Sequence, residues 1–292
     1  VKPAPFKYHD PRSVPDVLGL LASHENTKLL AGGQSLGPML NFRYVMPDHL
    51  IDLNRVPELA YVRSAGDALE IGAMTRQRAL ERSDEVRRAC PVMIEALRSV
   101  GHLATRNRGT LGGSLSHLDP AAELPGVCAL HDATLTVAGT RGRRTIAMAD
   151  WGVSFMTPNL EPDEVLTGVS LKTWREPHGH AFVELARRQG DFAMAGVGCL
   201  IALDASDRVR RIALAVIGVT SLPVRLTAAE KALTGVAVSD ESIRAAAAEV
   251  DRLEALDDAH ASAAYRKRLA GVLLARAVRQ ATERARTPGG RQ

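Results

Sequence analysis

The sequence predicts an α+β protein, and three observations carry that prediction. Short helix-like and strand-like segments alternate through about the first 175 residues. Two long apolar runs of β character, Ala193 to Leu203 and Ile212 to Val219, flank the polar turn Asp204-Ala205-Ser206-Asp207 and read as a hairpin. Three helical segments close the chain, so the C-terminal part reads as a sheet with helices.

Taken in order, Ser13 begins a helix with Pro15 in its first turn and Asp16 at the third position, a capping-box-like start. Val14, Val17, Leu18 and Leu21 then share one face. The apolar stretch from Lys28 to Ala31 reads as a strand that runs straight into Gly32-Gly33-Gln34-Ser35. His49 to Leu53 and Leu69 to Ala73 read as further strands. Pro91 opens a helix to about Val100, with Met93, Ile94, Leu97 and Val100 as its apolar stripe. A second glycine loop, Gly109 to Ser114, leads into the acidic, proline-containing segment Asp119 to Pro125. Among the closing helices, Thr227 is expected to cap the first, with Glu230 three residues on. The second is expected from about Asp240 to Leu256 and the third from Ala261 to about Arg284, followed by a frayed tail, 287–292.

Composition excludes several classes. With 46% hydrophobic residues in 292, the chain can bury a core, as two domains or one large one. No apolar run approaches the roughly 18 residues that a membrane helix needs. The first ten residues show neither a signal-peptide core nor a cleavage site, so a cytoplasmic location is expected. Cys90, Cys128 and Cys199 stand singly, which gives no disulfide framework, zinc site or iron–sulfur cradle. No residue set is expected to hold a metal. The pI is near 9.1, but the net charge is only +4 and the arginines are scattered. With aromatics at 4% there is no stacking platform, so no nucleic-acid partner is expected.

Two loops carry the chemistry, Ala31-Gly32-Gly33-Gln34-Ser35-Leu36 and Thr110-Leu111-Gly112-Gly113-Ser114-Leu115. Paired glycines let a backbone approach a ligand and reach dihedrals that a side chain forbids. Two such loops, each with a neighbouring hydroxyl, can cradle a pyrophosphate through backbone N–H groups. Each alone is commonly just a turn. There is neither a Gly-x-Gly-x-x-Gly after a strand nor a Gly-Lys-Ser/Thr, which disfavours a Rossmann site and a nucleoside-triphosphatase site.

The strings Leu30 to Leu36, Arg106 to Ser114 and Asp119 to Pro125 resemble the FAD-binding medium subunit of the xanthine dehydrogenase and aerobic carbon monoxide dehydrogenase family, the molybdenum hydroxylases. Ile71 to Thr75, Arg187 to Ala193 and Ala264-Tyr265-Arg266 fit the same pattern, so the resemblance spans nearly the whole chain. It implies an FAD domain of the vanillyl-alcohol-oxidase type, residues 1–176, in lobes of about 1–57 and 58–176, then a C-terminal α+β domain, 177–286. It also implies an electron relay. A large subunit with molybdopterin would hydroxylate the substrate, and a small subunit with two [2Fe–2S] clusters would pass electrons to this flavin, in a dimer of heterotrimers.

By the same resemblance, Leu30, Ala31, Gly32, Gly33, Gln34, Ser35 and Leu36 with Thr110, Gly112, Gly113 and Ser114 hold the FAD. Glu123 stands where relatives have an acidic residue that bonds the cofactor, and Leu166 where an apolar residue lines the adenine end. Phe192 lies near a position that carries an aromatic ring against the isoalloxazine in some relatives. Val183 departs from relatives with a lysine there. The first loop has no histidine, so the FAD is expected to be non-covalent.

Plainer readings stand beside these. His117 serves as a flavin or ribose contact or as a surface histidine, and His102 as a neighbour of the ring system or, more simply, as a helix C-terminal cap. At a helix start, a carboxylate such as Glu123 is favoured by the dipole alone. Phe192 is most simply a core aromatic, Arg187 and Arg188 a solvated pair, and the cysteines buried and inert. No catalytic set is apparent, and a flavin needs none, because it carries the redox chemistry itself. The alternative is a self-contained flavin-dependent oxidoreductase of the same wider fold.

Overall fold

A computed structural model describes residues 1–287, so most of the tail expected to fray lies outside the described residues. The first lobe is a parallel three-stranded sheet in the order Lys7–His9, His49–Asp52, Thr27–Leu30. Its helix Val14–Ser23 starts as the sequence predicts. The Ser13 hydroxyl accepts from Asp16 N, and Val14, Val17 and Leu21 are buried. Together with Ile51, Leu53, Val56 and Leu59 these side chains form a small core of their own.

A second sheet is antiparallel, in the order Val62–Ala65, Ala68–Gly72, Glu164–Lys172, Thr134–Gly139, Gly142–Ala147. Helix Pro91–Ser99 buries Val92, Met93, Ile94 and Leu97 in the largest core, to which this sheet also contributes Leu69, Ile71, Leu135 and Val169. The third sheet holds Gly179–Ala186, Ala193–Leu203, Val209–Ile217 and Val224–Arg225, all antiparallel. The expected hairpin is its centre.

The long apolar run Ala193–Leu203 has a physical reason: both faces of this sheet are covered. Leu200 and Ala202 face helix Glu123–Leu130 in the largest core, while Cys199 and Ile201 face the long helix Ala263–Arg286. The fit on the first side is tight. A Cβ on Gly126 would lie 2.5 Å from Ile217, and one on Gly198 2.4 Å from Leu130. On the other side the buried Arg266 donates to the carbonyls of Met194 and Gly218 at 2.8 and 2.6 Å and pairs with Asp258 at 2.7 Å.

Two expectations about the closing helices need correction. Thr227 is the first helical residue and Leu226 occupies the cap position without a side-chain bond. Glu230 does not close a capping box, because its carboxylate accepts from Leu214 N at 2.7 Å and from Arg225 at 2.6 Å. A charge-assisted tie to a buried strand outcompetes a local cap. The helix expected to reach Leu256 ends at Ala248 and tightens into a 3₁₀ turn, Glu249–Arg252. Leu253 is extended, which lets Leu256 N reach the carbonyl of Val219 at 2.7 Å. The three cysteines are buried and unpaired, as expected. Among the described residues no helix is long and apolar enough to cross a membrane.

Candidate cofactor site

Strand Thr27–Leu30 delivers the first glycine loop and helix Leu36–Asn41 receives it. The turn needs Gly33 at φ +71°, where a side chain is strained. Gly37 N bonds the Gly33 carbonyl at 2.9 Å, and Gln34 Nε2 reaches that of Gly32 at 3.2 Å. Leu30 lies beneath, its Cδ1 3.2 Å from where a Gly33 Cβ would stand. Among the described residues, the N–H groups of Gly33, Gln34 and Ser35 find no acceptor in the protein. Ser35 occupies the helix cap position, yet its hydroxyl makes no cap bond.

The second loop is organised differently. Thr110 caps helix Leu111–His117, its hydroxyl accepting from Gly113 N at 3.0 Å. Gly112 N donates to the Ala73 carbonyl at 2.8 Å, and a Cβ on Gly112 would lie 2.6 Å from that of Ala73. Gly112 and Gly113 therefore spend their N–H groups inside the protein. Ser114, half-buried, follows in the helix's first turn.

The two loops touch. A Cβ on Gly32 would stand 2.3 Å from the Arg108 carbonyl and 2.8 Å from Gly109 Cα, and one on Gly113 3.4 Å from Ala31 Cβ. Asn54 Nδ2 donates to the Ala31 carbonyl at 3.0 Å while Arg76 donates to Asn54 Oδ1 and to the Arg108 carbonyl. Burial, and then Arg108, pull the Arg76 guanidinium below its ordinary pKa. Asn54 is held in turn by Asp52, which accepts from Asn54 N at 2.8 Å.

The remaining candidates lie on other elements. His117 ends the second loop's helix, with its pKa lowered by burial against the opposing pull of Asp119. Glu123 opens helix Glu123–Leu130 but is almost wholly buried. Burial first, then the Glu184 carboxylate, push its pKa up to about 8. Glu184 itself is pushed up to about 7 by burial. Leu166 lies within the largest core, on strand Glu164–Lys172 beside a register shift.

Phe192 is not a core aromatic, because 73% of it is exposed. Its turn needs Gly190 at φ +85°, and a Cβ on Gly190 would stand 2.8 Å from the His102 ring. That turn therefore rests on the segment just ahead of the second loop. His102 is an N-cap residue of helix Leu103–Arg108, without a cap bond, and not a C-terminal cap. Arg187 is exposed, 3.8 Å from Asp191.

Asn54 and Arg76 are absent from the residues that sequence reasoning selects. The available signal is position, since Arg76 directly follows the string Ile71 to Thr75. The residues fit FAD: two glycine loops in contact, three uncommitted N–H groups and a free hydroxyl on one side of the junction.

Residues 4–174 match the family described as FAD binding domain in molybdopterin dehydrogenase. The chain belongs to the FAD-binding medium subunits of the molybdenum hydroxylase and carbon monoxide dehydrogenase family. Residues 180–281 of this medium subunit match the CO dehydrogenase flavoprotein C-terminal domain. It is 38% identical to the 6-hydroxypseudooxynicotine dehydrogenase complex subunit alpha of Paenarthrobacter nicotinovorans, covering 98% of this chain and 97% of that one. It is 37% identical to the caffeine dehydrogenase subunit beta of a Pseudomonas species, with 97% of each covered. A solved carbon monoxide dehydrogenase from Hydrogenophaga pseudoflava, which lacks the Mo-pyranopterin moiety of its molybdenum cofactor, gives a TM-score of 0.94 at 35% identity, covering 97% of this chain and 99% of that one. This medium subunit is accordingly a component of an oxidoreductase complex.

Proposed function

We propose that this medium subunit is the flavin relay of its complex and selects no organic substrate. The observation that carries the reading is the clamped pair of glycine loops, with free N–H groups on one of them. Bound there, FAD would supply the redox chemistry that links [2Fe–2S] clusters on a small partner to an external acceptor.

The residues that hold it are Gly32, Gly33, Gln34 and Ser35, flanked by Leu30, Ala31 and Leu36, and, across the junction, Thr110, Gly112, Gly113 and Ser114. The free N–H groups of Gly33, Gln34 and Ser35 serve the phosphates. Gly112 and Gly113 set the second loop's shape and its closeness to the first. His117, Glu123 and Phe192 flank the cofactor, Leu166 backs its adenine end, and retention is non-covalent. Relatives named for a nicotine derivative, for caffeine and for carbon monoxide support a chain that does not choose the substrate.

Exposed Phe42, Tyr44 and Met46, just beyond the helix that follows the first loop, suit burial against a partner. The assembly we infer is a cytoplasmic dimer of heterotrimers, with the small iron–sulfur subunit and a large molybdopterin subunit. The test is the native complex. Size exclusion with metal and flavin analysis is expected to give iron, molybdenum and FAD together, and acid precipitation to release the flavin. A native monomer that turns over an organic substrate without iron or molybdenum would overturn the relay and favour a self-contained flavoenzyme.

A further inference from the structure

We propose that His9, His24 and His49 form a binding site for one divalent transition-metal ion of the zinc type, on the first lobe. The three come from separate elements. His9 ends the outer strand Lys7–His9, His24 follows helix Val14–Ser23 in extended conformation, and His49 opens the central strand His49–Asp52. One ring nitrogen from each lies within 4.8 Å of the others, and each residue is half-buried.

Tetrahedral zinc with Zn–N bonds of about 2.0–2.1 Å sets its donor nitrogens about 3.3 Å apart. His9 Nε2 and His49 Nδ1 are already 2.9 Å apart, held by a hydrogen bond that a metal would replace. The rings are stacked, His24 on His49 with centroids 4.0 Å apart and planes at 9°, and His9 5.2 Å from each. A coordinating imidazole contains the metal in its own plane, so at least one ring must tilt. The terminal torsion of histidine is broad, and half-exposed rings can make that change. Water would take the fourth position.

The surroundings favour imidazole ligands without competition. Among the described residues none of the three pairs with a carboxylate, and the neighbouring Asp48 is bonded to Asn26 at 2.9 Å. Three imidazole nitrogens suit zinc, copper or nickel over magnesium or calcium. The spacing gives no warning of this, since no two of the histidines are close in sequence, and the proposal replaces the expectation that the chain holds no metal. Binding would cross-link both strands and the helix end. It would also brace the strand whose Asp52 supports Asn54, and through it the first glycine loop.

The test uses the full chain without an affinity tag, loaded with FAD and stripped of metal by a chelator, titrated with Zn²⁺ and separately with Co²⁺. One Zn²⁺ per chain is expected, with a raised melting temperature, and Co²⁺ should give the intense visible bands of a four-coordinate ion. His9→Gln and His24→Gln should each weaken binding by at least about tenfold, as loss of one of three ligands requires. Circular dichroism and flavin content should stay unchanged in both variants. Absence of stoichiometric binding, binding that survives both substitutions, or the weak bands of six-coordinate cobalt would each overturn the site.

Discussion

Arg76 donates to the side-chain oxygen of Asn54, and that contact fastens the two glycine loops to each other. Asn54 reaches forward to the carbonyl of Ala31 in the first loop, and Arg76 reaches to the carbonyl of Arg108 at the entrance to the second. The pair sets the spacing of the loops without belonging to either.

Loosening the pair should therefore weaken FAD binding. Hydrogen bonds to a charged group contribute about 1.5–3 kcal/mol, and about 1.4 kcal/mol is tenfold in affinity. Arg76→Met keeps the aliphatic stem and loses both donors, so the FAD dissociation constant should rise roughly tenfold to a hundredfold. Asn54→Ala should do the same, and the double variant should fall short of the sum because the residues share one network. Flavin fluorescence titration reads all three. An unchanged constant in Arg76→Met would remove the fastening from the account of binding.

Gly32 offers a separate test. Its missing Cβ makes room for the Arg108 carbonyl, which a methyl group would meet at 2.3 Å. Gly32→Ala should push the loops apart even before FAD arrives, destabilising the cofactor-free chain by about 1–3 kcal/mol as overpacking does. FAD should then be lost as a consequence. Urea denaturation of the cofactor-free protein measures the first effect. If Gly32→Ala is as stable as the parent without FAD but fails to bind it, the glycine serves the ligand alone.

The sequence made some of this legible and hid the rest for identifiable reasons. Ser13 with Asp16, and the apolar face of Val14, Val17 and Leu21, are local, so helix Val14–Ser23 could be read directly. The apolar runs of the central hairpin announced the strands, and the structure adds the reason for their length, a sheet covered on both faces. The loops could be read from their paired glycines, but not the fastening, which joins Asn54, Arg76 and Arg108 through long-range bonds. Glu230 follows Thr227 at capping-box spacing, yet it bonds Leu214 and Arg225, which are tertiary neighbours. Phe192 read as core by its hydrophobicity, whereas the Gly190 turn carries it outward.

The buried Glu123 predicts a pH dependence with a definite sign. Its ordinary pKa of 4.5 is raised in the folded chain to about 8, by burial and then by Glu184. The folded state therefore holds this proton more tightly than the unfolded state does. That contribution is fully present below about pH 4.5 and is lost as pH rises towards 8. Glu123→Gln cannot ionise, so it should flatten the loss and stabilise the cofactor-free protein near pH 8 by a few kcal/mol at most. Thermal denaturation of parent and variant from pH 5 to about 9 makes the comparison. A parent curve that rises with pH while the variant's stays flat would reverse the assignment.

The last prediction concerns the seam between the flavin half and the C-terminal half, which Glu95 closes. From helix Pro91–Ser99 its carboxylate accepts from Phe182 N at 2.9 Å and pairs with Arg284 at 2.6 Å. His180 also lies 3.7 Å away, which looks like a second ion pair. Burial, and then the Arg284 charge, lower the His180 pKa to about 4, so near neutral pH that ring carries no charge and the contact is not ionic. Glu95→Gln keeps an acceptor for Phe182 N and loses only the charge opposite Arg284, whereas Glu95→Ala loses both and leaves a half-buried N–H without a partner. Discounted for the partial exposure of Arg284, the Gln variant should cost about 1 kcal/mol and the Ala variant about 2–3 kcal/mol. His180→Asn should change little between about pH 6 and 8, because no charge is removed. Urea unfolding at pH 7 and pH 6 tests the order. If His180→Asn costs as much as Glu95→Ala, the histidine is charged and the seam is held by a three-membered ionic network instead.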